Sequence, residues 1–183
     1  MLSYLKKCSQ SVHDQQNVQL EHIVIDGASS DGTAEWIEGN RRIVGVSEVD
    51  HGMYDAINKG FGMARGGLLA CLNCDEQYLP GTLGWVRDYF ESHSDADMIF
   101  CNAYLIKPDG SLIAFRKGSK PRWYFVLASH LYVLTCTMFF RRRIIDDGFL
   151  MDSQFRIWGD VEFVVKLLRN GYNVRHVDQC SSV

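Results

Sequence analysis

Two apolar runs end abruptly in acid, and this pattern constrains the chain more than any other. Glu21-His22-Ile23-Val24-Ile25-Asp26 carries three consecutive β-branched residues between polar ends. Gly67 to Leu72 is a second such run, and it opens into Asn73-Cys74-Asp75-Glu76. Runs of this length predict buried strands, and β-branched residues without alternation predict burial on both faces. Helical spacing separates them: Leu2, Leu5, Cys8 and Val12 within 2–16, and Met53, Ile57, Phe61 and Ala64 within 53–64. Strands alternating with helices predict an α/β fold with a mostly parallel sheet and flanking helices. Ligands of such sheets bind beyond the carboxyl ends of the strands, where these acids fall.

The rest of the chain extends the pattern. Strands are predicted over 43–46, 98–101, 133–140 and 172–177, with a hairpin over 104–115 around Pro108-Asp109-Gly110. Pro80 opens a helix that turns Leu83, Val86 and Phe90 inward. A short helix follows Gly32, and a last one over 160–169 is closed by Asn170-Gly171. No repeat or linker interrupts the 183 residues, which predicts one domain.

Composition narrows the function. A net charge of −3 gives no footing for a duplex nucleic acid. The six cysteines include one CxxC spacing, Cys71 and Cys74, with no second pair to complete a zinc site, and are read as free thiols in a reducing cytosol. The stretch from Tyr124 to Phe140 is uncharged but short and polar at its centre, so it reads as a buried helix and strand rather than a membrane span. No signal peptide is recognisable at the start.

Four segments carry candidate chemistry, and each has a plain structural alternative. Asp75-Glu76 either hold a divalent cation that neutralises their repulsion or begin a solvated loop before a helix. Asp26-Gly27-Ala28-Ser29-Ser30-Asp31-Gly32-Thr33 is either a nucleoside-binding turn or a capped turn. Neither GxGxxG nor GxxxxGK[ST] is present. Ser47 to Gly60 (SEVDHGMYDAINKG) surrounds a helix start with Asp55, Asn58 and Lys59, a density that core packing does not explain. Asp160, in Trp158-Gly159-Asp160-Val161-Glu162-Phe163, is either a general base or a helix cap.

Taken together, these segments resemble the family 2 inverting glycosyltransferases. That family shows "IDGxSxDGT", "SExDxGxYDAxNKG", a strand ending in "LNxDD", and a late "GD" or "ED" before a helix. The match runs in order from Leu2 to about Val177. The resemblance implies a GT-A fold, with a nucleotide-sugar-binding half over about 1–100 and an acceptor-binding half over about 101–183. It implies that Asp26, Ser29, Asp55, Lys59, Asn73 and Asp75 serve the nucleotide sugar. Asp75 and Glu76 would hold Mn²⁺ or Mg²⁺, and Asp160 would be the general base.

The reaction implied is transfer from a UDP- or GDP-sugar to a lipid-linked or polysaccharide acceptor. It would take place in the cytoplasm at the inner face of a membrane. Arg141 to Arg143 and the apolar stretch from Tyr124 to Leu134 would be the peripheral membrane contacts. Three departures stand out. Glu76 replaces a usual Asp. Thr135-Cys136 replace a frequent His-Gln pair. The family's first strand, such as "IITPTYN", has no counterpart before the first helix, which implies truncation at the N-terminus. That last departure motivates the alternative of a catalytically inactive nucleotide-binding fragment.

Overall fold

The computed structural model describes residues 1–129, 131 and 133–183. The elements run α1 (Leu2–His13), β1 (Ile23–Asp26), α2 (Thr33–Gly39), β2 (Val44–Ser47), α3 (Met53–Met63), β3 (Leu68–Ala70) and α4 (Thr82–Ser92). They continue β4 (Met98–Ile106), β5 (Leu112–Arg116), α5 (Trp123–Ala128), a 3-10 turn (Thr135–Thr137), β6 (Met138–Arg141), α6 (Arg143–Asp146), α7 (Gly159–Arg169) and β7 (Val174–Ser182).

Strands β4 and β6 organise the molecule. Successive side chains in a strand face opposite ways, so each strand feeds two cores. Met98, Phe100, Met138 and Phe140 pack with Tyr54 and Phe61 of α3 and with Phe163, Val164 and Leu167 of α7. Ile99, Cys101 and Phe139 pack with Val12 of α1 and with Val86 and Phe90 of α4. Burial on both faces is why β4 begins as an unbroken apolar run.

Its strands form a sheet ordered β3-β6-β4-β5, with β7 also paired to β4. The parallel pairs are β1–β2 and β4–β7, whereas β3–β6, β4–β6 and β4–β5 are antiparallel. The α/β architecture with flanking helices is as expected, but the sheet is not mostly parallel. The cause is β6, which enters antiparallel between β3 and β4, and the hairpin that folds β5 back on β4. Strands β1 and β2 form a separate two-stranded sheet.

Several boundaries differ from expectation. The strand over 98–101 and the first arm of the hairpin are one nine-residue strand. It turns at Gly110, whose φ of 86° suits glycine, beside Asp109, which accepts a bond from the Ser111 amide at 2.9 Å. The strand expected over 133–140 begins only at Met138, because Thr135–Thr137 close a 3-10 turn. The last strand extends to Ser182 by bulging along β4. In α3 the inward stripe includes Tyr54, while Met53 is 49% exposed. The reading of 124–140 as a buried helix and strand lies partly outside the described residues; Trp123–Ala128 is helical, but it buries only Val126 and leaves Tyr124, Phe125 and Leu127 exposed. No helix among the described residues is long and apolar enough to cross a membrane.

Candidate active site

The site is built where β1, β3 and the N-terminus of α7 end. Asp26 closes β1 and is 7% exposed. Its Oδ2 accepts from the Ser29 amide at 3.0 Å and from the Ser47 hydroxyl at 2.6 Å. Burial pushes this carboxyl up, but the bonds from Ser29 and Ser47 outweigh it and the net shift is downward. Asp26 is therefore an ionised acceptor held by its own and the adjacent strand. Ala28, between Gly27 and Ser29, has a φ of 61°, in the left-handed region that costs a non-glycine residue free energy. A Cβ on Gly27 would meet Asp50 Oδ2 at 2.6 Å, so a side chain there would displace the Asp50 carboxylate.

The polar density of Ser47 to Gly60 resolves into separate jobs. Asp50 Oδ1 accepts from the Gly52 amide at 2.9 Å, and Asp55 Oδ2 accepts from the His51 amide at 3.0 Å; both fix the turn that leads into α3. Lys59 donates to Glu48 at 2.5 Å. Asn58 clamps a distant backbone, donating to the Met151 carbonyl at 2.7 Å and accepting from its amide at 3.0 Å. Asn58 is thus a fastener between α3 and the segment before α7.

At the end of β3, Asn73 and Asp75 are exposed and Glu76 is half-buried. Glu76 Oε2 accepts from the Asn73 amide at 2.7 Å. Burial raises the Glu76 carboxyl despite the bonds from Asn73. Its side chain is also hydrogen-bonded to the thiol of Cys136, which burial foremost pushes up to about 12. The two acids are therefore unequal: Asp75 meets solvent, while Glu76 is engaged by its own turn and by the turn before β6.

Asp160 lies in the first turn of α7, half-buried. Its Oδ1 accepts from the Tyr54 hydroxyl at 3.2 Å and from the Val161 amide at 2.9 Å, and its Oδ2 accepts from the Thr135 hydroxyl at 3.1 Å. Burial and the Asp160 charge raise the Tyr54 phenol, so it stays a donor. Trp158, just before this helix, has a φ of 76° and is 55% exposed. Asp160 and Glu76 are bonded to neighbouring residues of one 3-10 turn, Thr135 and Cys136. Burial foremost, with the charges of Glu76 and Asp160 adding to it, pushes the Cys71 thiol up to about 12.

Sequence reasoning singled out Asp26, Ser29, Asp55, Lys59, Asn73, Asp75, Glu76 and Asp160. Glu76 and Asp160 are bonded to the neighbouring residues Cys136 and Thr135, whereas Asp55 and Lys59 are engaged at the start of α3 and with Glu48. Thr135 was missed, and Tyr54 was not tied to Asp160. Tyr54 is 106 residues from Asp160, a pairing that no local pattern encodes. The arginine run is engaged within the fold. Arg141 donates to the carbonyls of Ala96 and Phe90 and lies over the Phe90 ring. Arg142 bonds the Ala64 carbonyl, and Arg143 pairs with Asp97. These guanidinia brace the end of β6, with the Arg143 side chain still 53% exposed. All six cysteines are free.

The fold matches solved structures of the GT-A fold. One is TarS 1–349 of S. aureus in complex with UDP, with a TM-score of 0.78 at 16% identity, covering 99% of this chain and 56% of that one. Another is the mannosyltransferase PcManGT of Pyrobaculum calidifontis in complex with GDP-Man and Mn²⁺, with a TM-score of 0.71 at 16% identity, covering 99% and 53%. Residues 2–149 match the family model described as Glycosyl transferase family 2. The chain belongs to that family and is by family a glycosyltransferase. Among curated relatives, a PGL/p-HBAD biosynthesis glycosyltransferase of Mycobacterium bovis is 30% identical over 103 residues, 52% of this chain and 40% of the relative. The chain thus spans well under two thirds of the length of that relative.

Proposed function

We propose that this chain is the catalytic core of an inverting transferase that moves a sugar from a nucleoside diphosphate, UDP or GDP, to a lipid-linked or polysaccharide acceptor. The observation that carries this is that Asp160 and Glu76, beside Asp75, are hydrogen-bonded to adjacent residues, Thr135 and Cys136. A diphosphate site and a base must stand this close if the acceptor oxygen is to attack the carbon that the diphosphate leaves. In this reading Asp160 takes the acceptor hydroxyl proton as the new glycosidic bond forms and the nucleoside diphosphate departs. Asp26, with Ser29, accepts hydrogen bonds from the base or ribose. Asn73 and Asp75 face the diphosphate. Asp55 and Lys59 shape the α3 start beside it. Residues 1–100 form the donor half and 101–183 the acceptor half.

Among the described residues no three His, Cys, Asp or Glu side chains are grouped to hold a metal. Mg²⁺ and Mn²⁺ on nucleotides need less, one or two carboxylates with phosphates completing the shell. Exposed Asp75 with Glu76 behind it fits that demand. Bound there, Mn²⁺ or Mg²⁺ would offset charge on the departing diphosphate.

We place the reaction in the cytoplasm beside the inner membrane face. Residues 104–125 support this with five basic side chains against one acidic. Tyr104, Leu112, Ile113, Phe115, Trp123 and Phe125 are exposed along the same stretch, a mixture suited to an anionic bilayer surface. The separation of β1–β2 from the larger sheet favours the second reading, a nucleotide-binding fragment without turnover.

Calorimetric titration with UDP and with GDP, each with and without Mn²⁺, tests the donor site. Metal-dependent binding of either supports it. No binding of either nucleotide contradicts it. Binding without sugar transfer from the matching nucleotide sugars selects the fragment.

A further inference from the structure

The Asp160 carboxylate is held from two directions by residues remote in sequence. Tyr54 reaches it from the first turn of α3, and Thr135 from the 3-10 turn before β6. Both supports are themselves fixed. Tyr54 is 3% exposed, and its ring is so close to Gly159 that a Cβ there would meet Cδ2 and Cε2 at 2.6 Å. The helix carrying Asp160 therefore rests its first residue on the Tyr54 ring.

The 3-10 turn is anchored at both of its other positions. Thr137 donates to the Leu134 carbonyl at 2.7 Å, and the Cys136 thiol accepts from the Ser182 hydroxyl at 3.3 Å. Cys136 and Thr137 are buried, at 3% and 1% exposure. An N-cap needs none of this apparatus, because a cap answers to its own helix amides. Here the bonds from Tyr54 and Thr135 occupy one oxygen each, and they fix the plane of the carboxylate.

We propose that Tyr54 and Thr135 are positioning residues that set the carboxylate of Asp160, with the Thr135–Thr137 turn as the fixed bracket. The inference rests on reading Asp160 as the base. A base must be held within a narrow range of the proton it takes, and misplacement by about 1 Å can cost ~100-fold in rate. Removing either support loosens the carboxylate, which the Val161 amide then holds with only one of them. Tyr54→Phe and Thr135→Val are each expected to lower kcat by about tenfold or more, with KM for the nucleotide sugar and affinity for UDP little changed. Thr135→Ser keeps the hydroxyl and is expected to keep most of the rate.

The test uses the full 183-residue chain. Stability in urea is measured for each single variant, for Asp160→Asn and for the double variants. UDP binding is followed by calorimetry, and turnover with UDP-glucose and UDP-N-acetylglucosamine as probes. Coupled urea midpoints, with Asp160→Asn costing less once Tyr54 or Thr135 is changed, support the contacts even if neither probe is turned over. Additive midpoints overturn the proposal. A fall in kcat without a change in UDP affinity, rescued by Thr135→Ser, supports the positioning role. Parent-like kcat in both variants, with Asp160→Asn inactive, overturns that role. Parent-like turnover in Asp160→Asn instead removes Asp160 as the base, a separate failure.

Discussion

The two-stranded β1–β2 unit and the five-stranded sheet are built by opposite means. In the larger sheet, Met98, Ile99, Phe100 and Phe140 are fully buried, and helices cover both faces. In the smaller unit only Val24 and Asp26 are buried, and Val44 is 53% exposed. The smaller unit meets the rest through Ile23, which packs on the core, and through Glu21, which accepts from the Gly66 amide at 2.6 Å. Helix α3, which lies against β1, is tied on by Asn58 to Met151 and by Tyr54 to Asp160. Deep packing thus holds the part that carries Asp160, while a thinner contact and directional bonds align the part that carries Asp26. A site divided in this way can be misaligned without being unfolded.

The largest expected effect sharpens this contrast. Phe163→Ala empties a fully buried position between β4 and α7 and is expected to cost ~3–5 kcal/mol. Val24→Ala is expected to cost only about 1.5 kcal/mol. Urea denaturation of the two variants checks this, and equal losses would break the comparison.

Asn58→Ala should cost ~2 kcal/mol by stranding the amide and carbonyl of Met151. Nucleotide affinity should fall with it if the seam aligns the two regions, which calorimetry with UDP would reveal.

A pH effect of similar size concerns the junction beside β1. Burial foremost, and then the charge of His13, lower His22 to about 4. The folded state then resists a proton that the unfolded chain accepts near pH 6.5. Stability is complete above that pH and is lost as pH falls from about 6.5 to about 4, roughly 2 kcal/mol of it by pH 5. His22→Gln should flatten the stability profile in that window, measured by urea midpoints at pH 7 and pH 5.

The smallest effect is local to Asp26. Ser47→Ala removes a charge-assisted bond and should cost about 1–2 kcal/mol at pH 7. Because the Asp26 carboxyl is depressed, that contribution exists above its ordinary range and vanishes as pH falls through the lowered value. Parallel acid titrations of stability for parent and variant should converge at low pH.

Much of this was legible in the chain. Ile23-Val24-Ile25-Asp26 reads as a strand ending in acid because its residue types leave little alternative. Asp160 and Asp75 are legible through the joint order of four motifs. The antiparallel entry of β6 was not legible, since Met138-Phe139-Phe140 carries no mark of direction. Nor was Thr135, whose partner lies 25 residues away across a turn that propensity does not foretell. Asn58 was visible as an oddity, but its use was settled by tertiary contact with Met151. The arginine run reads as a surface patch, and its bonds to separate carbonyls and to Asp97 were not legible in it.

The central claim is that Asp160 is the base of a sugar transfer whose donor is held elsewhere. Asp160→Asn tests it most directly, with nucleotide affinity and transfer rate measured on the same preparation. The account predicts unchanged affinity for UDP or GDP and a fall in transfer of ~10²–10⁴-fold. Transfer at the parent's rate, or loss of nucleotide binding in step with activity, would contradict it.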